Sequence, residues 1–334
     1  MSFAVVFTLI NQYSWGLADL EAMTDAINID EQRLVSLREK RFLITGADGM
    51  LGVAFRQELG KLVPASKICV TSRVNLDVRN ISAFSAYDDF CPDFVIHCAA
   101  LVDADYCEDH PVDGRLSIVE GTQNVINYAQ RHNAFLYYPQ SFLIYDGKTR
   151  IDEATPPAPL NVYGQLKTQA EALVLDQLPG ASLSVRMGGF FGGGEVDDNF
   201  VGLITRHLSK LILRGDQEIS IGDRIWQPTY TNDLAKNCLL LMSLRLSGIY
   251  CMACHGTASF YDLTVEIARI LGIEDRIHIG RIDASILAAK ELALRPLQAE
   301  MTNIRLQNEG LDRQRPWQIS LNEYLSSHYF KELF

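Results

Sequence analysis

The segment Arg41-Phe42-Leu43-Ile44-Thr45-Gly46-Ala47-Asp48-Gly49-Met50-Leu51-Gly52 decides the fold. Phe42 to Thr45 reads as a short strand. Three glycines at GxxGxxG spacing follow, and the pattern beyond them is helical to about Leu62. A glycine turn between a strand and a helix is a close relative of the dinucleotide-binding fingerprint. Gly46 permits the tight turn. Gly49 lets a pyrophosphate approach the helix amino terminus, where free N–H groups and the helix dipole favour negative charge. Gly52 is expected to let the helix pack closely on the sheet. Asp48, Met50 and Leu51 complete the turn that would hold the dinucleotide.

Outward from this turn, strands and helices alternate. Strand patterns fall at 68–71, 94–98, 135–138 and 183–186. Helical patterns fall at 81–90, 119–131 and from Asn161 onward. This order predicts an α/β fold, a Rossmann-type doubly wound parallel sheet. Residues 41–180 form the NAD(P)-binding domain in this reading. Residues 181–334 form a smaller substrate-binding lobe interleaved with it. In that lobe the glycine cluster 188–194 reads as a loop over a ligand, and helices are expected at 200–213, 232–245 and 260–271. Residues 1–40 read as a helical arm, with Leu17, Leu20, Met23 and Ile27 at helical spacing and Leu34 and Leu37 continuing the stripe.

The formal net charge of −11 over 334 residues argues against a phosphate-backbone partner, so nucleic acid is not expected. No apolar run is long enough to cross a bilayer. The apolar stretch from Phe3 to Ile10 lacks a basic region before it and a small-residue cleavage site, so it is not read as a signal peptide. Seven scattered cysteines then read as reduced, mostly buried thiols, and a cytoplasmic location is expected. Cys251-Met252-Ala253-Cys254-His255 matches haem-attachment spacing. It continues a segment that looks like a buried strand, and one cysteine pair cannot close a zinc site, so the match is read as coincidence.

The end of the second strand bears on cofactor choice. An acid there would hold the ribose 2′-hydroxyl of NAD, whereas arginine suits the 2′-phosphate of NADP. This chain has Val70-Thr71-Ser72-Arg73. NADP(H) is therefore expected, through Ser72 and Arg73, with NAD(H) as second choice. Asp77 and Val78 read as adenine-side contacts.

Tyr163 and Lys167 lie four apart at a helix start, hence on one face. A lysine ammonium near a phenol is expected to lower the phenol's pKa. Such a tyrosine could give a proton to a carbonyl oxygen while hydride arrives at carbon. Ser141, after the 135–138 strand, could offer a hydroxyl to the same carbonyl.

These motifs resemble the extended short-chain dehydrogenases/reductases, and within them the dTDP-4-dehydrorhamnose reductase family. The resemblance rests on Gly46–Gly52, on Val95-Ile96-His97-Cys98-Ala99-Ala100, on 141–147, and most of all on 158–167 with Glu171. It continues through Arg224-Ile225-Trp226-Gln227-Pro228-Thr229-Tyr230, Asp233-Leu234-Ala235 and Arg295-Pro296-Leu297. It implies an NADPH-dependent reductase of a nucleotide-linked 4-keto-6-deoxysugar, with Ser141, Tyr163 and Lys167 as its catalytic residues. Lys167 would also hold the nicotinamide ribose, and Ala99 and Ala100 would line the cofactor groove. Arg224 and Arg295 would meet the substrate phosphates, beside Phe142, Trp226 and Gln227, and no metal is implied. A homodimer through helices of the first domain is common in the superfamily. Phe142 stands where that family usually has an acid, and Leu101 where it has a polar or aromatic residue; both make the substrate side more apolar. The chain also resembles the regulatory β subunit of methionine adenosyltransferase, which implies a binding module as the alternative. An epimerase or dehydratase fits less well, because Phe142 cannot serve as an acid or base.

Overall fold

The computed structural model describes residues 28–334. Leu17, Leu20, Met23 and Ile27 lie outside the described residues. Residues 28–34 are helical, Leu37 is buried, and Leu34 packs beside it. Arg313 holds Asp30, which ties this segment to the carboxy-terminal part of the chain.

Six parallel strands make the central sheet: β1 (Phe42–Thr45), β2 (Ile68–Val70), β3 (Phe94–His97), β4 (Phe135–Ser141), β5 (Ser182–Met187) and β6 (Gly248–Met252), in the order β6-β5-β4-β3-β1-β2. Four helices cover it: α1 (Met50–Gly60), α2 (Gly121–Arg131), α3 (Val162–Gln177) and, beyond these, α5 (Thr231–Ser243) after α4 (Phe200–Arg214) of the smaller lobe. Successive strand residues point to opposite faces, so both faces are apolar. Phe42, Ile44, Ile96 and Tyr137 pack under α1 and α5. Leu43, Val95, Leu136 and Tyr138 pack under α2 and α3. The doubly wound reading of the sequence therefore stands.

A boundary at residue 180 falls inside this sheet, because β5, β6 and α5 all come after it. The chain leaves for the smaller lobe between β5 and β6. That lobe has its own core, in which α4 packs with α6 (Phe260–Leu271) and α7 (Trp317–Leu325) around Phe191, Trp226 and Tyr230. Among the described residues, no helix is long and apolar enough to cross a membrane.

The strand order reverses between β2-β1 and β1-β3. Ligands of open α/β sheets bind outside the carboxyl ends of strands at such a switch point. Here those ends are Thr45-Gly46 and His97-Cys98-Ala99.

Candidate functional site

Gly46 adopts φ +64°, and a Cβ there would lie 2.6 Å from Ala99 N. The turn is thus pressed against the end of β3, and only glycine fits. A Cβ on Gly52 would lie 2.3 Å from the Gly46 carbonyl oxygen and 2.7 Å from Ala47 Cα. This corrects the sequence reading: Gly52 makes room for the turn itself, and Gly46 makes the close approach to the sheet. Gly49 differs from both. A Cβ there would meet only the Gly46 oxygen, at 3.4 Å, and Gly49 is exposed. Gly49 also begins α1 with no side-chain cap, and the first turn holds no acid. Free N–H groups at that end are open to an anion.

A buried chain of hydrogen bonds steadies the crevice floor. Thr122 donates its hydroxyl to Ile118 O at 2.6 Å, so its oxygen accepts from His97 Nε2 at 3.2 Å. His97 Nδ1 is then the acceptor for Thr45 Oγ1 at 2.8 Å, and Thr45 accepts from Ala99 N at 3.3 Å. Burial pushes the His97 pKa down to about 3, which keeps the ring neutral and this direction fixed. Ala99 is half-buried and Ala100 exposed at the crevice.

At the end of β2, Ser72 is half-buried and Arg73 exposed. Asp77 is held by Arg79, whose Nε lies 2.9 Å from Oδ1; this contact keeps the carboxyl below its usual range. Val78 is buried, as is the side chain of Leu51. Asp48 is exposed, and Met50 turns toward the smaller lobe. A Cβ on Gly193 would lie 2.8 Å from Met50 Cγ, so the 192–194 loop lies over the dinucleotide turn. The front of that glycine cluster is not loop. Gly189–Phe191 is a strand paired with Pro228–Tyr230, and a Cβ on Gly189 would meet the Trp226 indole.

Ser141 ends β4, and its Oγ accepts from Leu143 N at 3.2 Å. Asn161 caps α3 by accepting from Gly164 N at 2.7 Å. A Cβ on Gly164 would lie 2.2 Å from the Leu143 carbonyl oxygen. This glycine lets α3 press against the turn after Ser141, which brings Tyr163 to it. The Tyr163 phenol is buried, with the Ser141 hydroxyl as a polar neighbour. Burial pushes its pKa above the usual phenol range and outweighs the Ser141 hydroxyl, which pulls it down. The expected lowering by Lys167 is absent. Lys167 Nζ is also buried. It donates to Pro139 O at 2.6 Å and sits 4.1 Å from the Tyr138 ring centroid. Burial pushes its pKa down to about 7, with Glu171 acting in the opposite direction. Tyr163 is therefore a neutral phenol that keeps its proton at pH 7.

A cavity of about 270 Å³ opens beside this turn. Phe142 and Leu143, directly after Ser141, form part of its wall. Trp226, Phe200 and Phe260 form another part, with the Phe200 and Phe260 rings stacked at 4.0 Å. Arg224 and Arg295 also line it, and each is paired with a carboxylate. Arg224 Nη1 lies 2.8 Å from Glu291 Oε1, and Arg295 Nη2 lies 2.8 Å from Asp105 Oδ2. Phe142 packs against three apolar clusters at once, which accounts for an apolar residue at the junction of the lobes.

Gln227 does not line the cavity. Its Nε2 donates to Cys254 O and Gly256 O, and its Oε1 accepts from Met301 N. As a neighbour of Trp226 in an extended segment it points the other way, so its sequence assignment to the substrate is corrected. Phe200, Phe260, Asp105 and Glu291 were not singled out from sequence. No local pattern marks them. Cys251 and Cys254 are free and buried, consistent with coincidental spacing, and the described residues hold no cluster of metal-ligating side chains.

The chain is 29% identical over 296 residues to dTDP-4-dehydrorhamnose reductase of Streptomyces griseus, covering 85% of this chain and 92% of that protein. It is 28% identical over 306 residues to methionine adenosyltransferase 2 subunit beta of Xenopus tropicalis, covering 87% and 89%. Among solved structures it superposes with TM-score 0.78 on a dTDP-4-dehydrorhamnose reductase from Clostridium acetobutylicum, at 28% identity and covering 85% of this chain and 98% of that one. It matches the Bacillus anthracis reductase in complex with NADP equally well, with TM-score 0.78, 25% identity and coverage of 86% and 98%. The sequence model of the RmlD substrate binding domain matches residues 40–330. With nearly the whole described chain inside that match, the chain belongs to the RmlD substrate-binding-domain family.

Proposed function

We propose that this protein is an NADPH-dependent reductase of a nucleotide-linked 4-keto-6-deoxysugar. The observation that carries this reading is the Tyr163 phenol: buried, neutral, and beside Ser141, whose neighbours Phe142 and Leu143 line the aromatic-walled cavity. A general acid must arrive at the reaction with its proton. The full-length likeness to reductases of dTDP-linked sugars supports the substrate class.

The residues present fit a dinucleotide. Gly49 is open where a pyrophosphate would lie, the start of α1 is uncapped, and Ser72 and Arg73 stand where a 2′-phosphate would be met. No acid occupies that position, which favours NADP(H) over NAD(H). The cofactor supplies the hydride. Gly46 to Gly52 would bind its pyrophosphate, Ala99 and Ala100 would border its nicotinamide end, and Lys167 would turn its ammonium from Pro139 O to the ribose. Ser141 and Tyr163 would hold the sugar carbonyl oxygen, and Tyr163 would give it a proton through its hydroxyl. Phe142 and Trp226 would exclude water from the sugar.

A second reading is a regulatory module resembling the methionine adenosyltransferase β subunit. It is favoured by one observation: both cavity arginines are already neutralised by carboxylates. The test is NADPH oxidation with a panel of nucleotide-linked 4-ketosugars, run beside binding to a purified methionine adenosyltransferase catalytic subunit. Turnover supports the reductase. Absence of turnover with all of them, together with a stoichiometric complex, supports the module.

A further inference from the structure

We propose that Glu291 is an internal competitor for the anionic part of the substrate, and so sets how tightly this cavity binds a diphosphate. The inference rests on the nucleotide-sugar reading above. Arg224 is 8% exposed and lines the cavity, yet its Nε is buried with no hydrogen-bond partner among the described residues. Glu291 reaches only the two Nη groups, at 2.8 and 2.9 Å. A guanidinium offers five N–H donors, and one carboxylate leaves this fork incompletely used. A diphosphate, with more oxygens and more charge, can satisfy Nε and Nη together.

The two carboxylates at the cavity differ in how firmly they are fixed. Asp105 binds Arg295 and also accepts from Ala293 N at 2.9 Å, so it is part of the framework of the chain. The Glu291 carboxylate has no hydrogen-bond partner but Arg224 among the described residues, and its side chain is the more exposed of that pair, 22% against 9%. It lies between the short helix Ala284–Ala288 and the segment pinned by Ala293 N and by Asn161 Nδ2 to Leu294 O. A rotation of the Glu291 side chain frees Arg224 and leaves these anchors in place. Glu291 is thus the exchangeable anion and Arg224 the fixed cation.

The test is calorimetric titration of the NADP⁺-saturated full chain with inorganic pyrophosphate, dTDP and uncharged thymidine. Glu291→Gln keeps the shape and removes the charge. It is expected to bind pyrophosphate and dTDP about tenfold more tightly, the difference between charged and neutral competition for one arginine, with thymidine unchanged. Arg224→Gln should lose most of the affinity for both anions, and the double variant should gain nothing from the change at 291. Glu291→Asp, too short to reach both Nη groups, should shift in the same direction as Glu291→Gln by a smaller factor, and thermal melts verify that each variant folds. Equal or weaker anion binding by a folded Glu291→Gln overturns the proposal, since Glu291 would then only support Arg224. If that happens while a dTDP-ketosugar is turned over, the reductase reading survives alone. If no anion binds either the wild-type protein or Glu291→Gln, both fall.

Discussion

The dinucleotide turn is made by neighbours in the chain: Gly46, Gly49 and Gly52 lie within seven residues, and Gly46 and Gly52 each make a close approach that excludes a Cβ. The cavity beside it draws its wall from Val102 to Arg295, and its ion pairs span 67 and 190 positions. The turn gains its shape from backbone that tolerates no Cβ at Gly46 or Gly52, so it is rigid by construction. The cavity gains its shape from long side chains and exchangeable charges, so it can be retuned without disturbing the sheet. In the proposed reading the difference separates two tasks, rigid handling of a cofactor and adjustable recognition of a substrate.

The largest expected effect lies where the two regions meet. Tyr163→Phe removes the proton donor and leaves the glycine turn alone. Turnover should fall by about 10²–10⁴ while NADPH binding stays nearly unchanged. Parallel loss of cofactor affinity would show that the two regions are not separable. Within the turn, Gly46→Ala forces a Cβ into Ala99 at positive φ, and should cost about 3 kcal/mol or more in chemical denaturation. Gly49→Ala meets no such wall and should cost about 0.5 kcal/mol or less, yet still weaken NADPH. Similar stabilities for the two variants would contradict the roles assigned to them. Arg73→Ala should weaken NADPH by about 1–3 kcal/mol and NADH little, as measured by fluorescence titration.

A further expected effect concerns Lys167. Burial pushes its pKa in the folded protein down to about 7, from an ordinary lysine value of 10.5. The unfolded chain therefore holds the proton more tightly between those values, so stability contributed at this site rises with pH across that window. Between pH 7 and 9 the wild-type protein should gain about 2 kcal/mol relative to Lys167→Met in matched urea titrations. A pH-independent difference would mean that the ammonium is not desolvated as described.

The two regions were also unequally legible in the sequence. The turn could be read because a strand, three glycines and a helix leave a contiguous pattern. Tyr163 and Lys167 could be paired because four residues make about one helical turn. Gly164 carried a further signal, a glycine early in a helix, that pointed to close approach. The phenol's pKa direction could not be read, because burial is a property of the assembled core. Glu291 and Asp105 could not be found because nothing near them in sequence records the arginines they meet. Gln227 was assigned to the substrate on the resemblance alone, and an extended chain turns it to the face opposite Trp226.

Hydride transfer is the central claim, and isotope transfer tests it most directly. The protein is incubated with NADPH carrying deuterium at the transferable position and with nucleotide-linked 4-keto-6-deoxysugars, and the sugars are analysed by mass spectrometry and NMR. The account predicts a 4-hydroxy product with one deuterium on the former carbonyl carbon, formed by the wild-type protein and at least about 10²-fold more slowly by Tyr163→Phe. No deuterated sugar from any member of the panel, despite demonstrated NADPH binding, would contradict it.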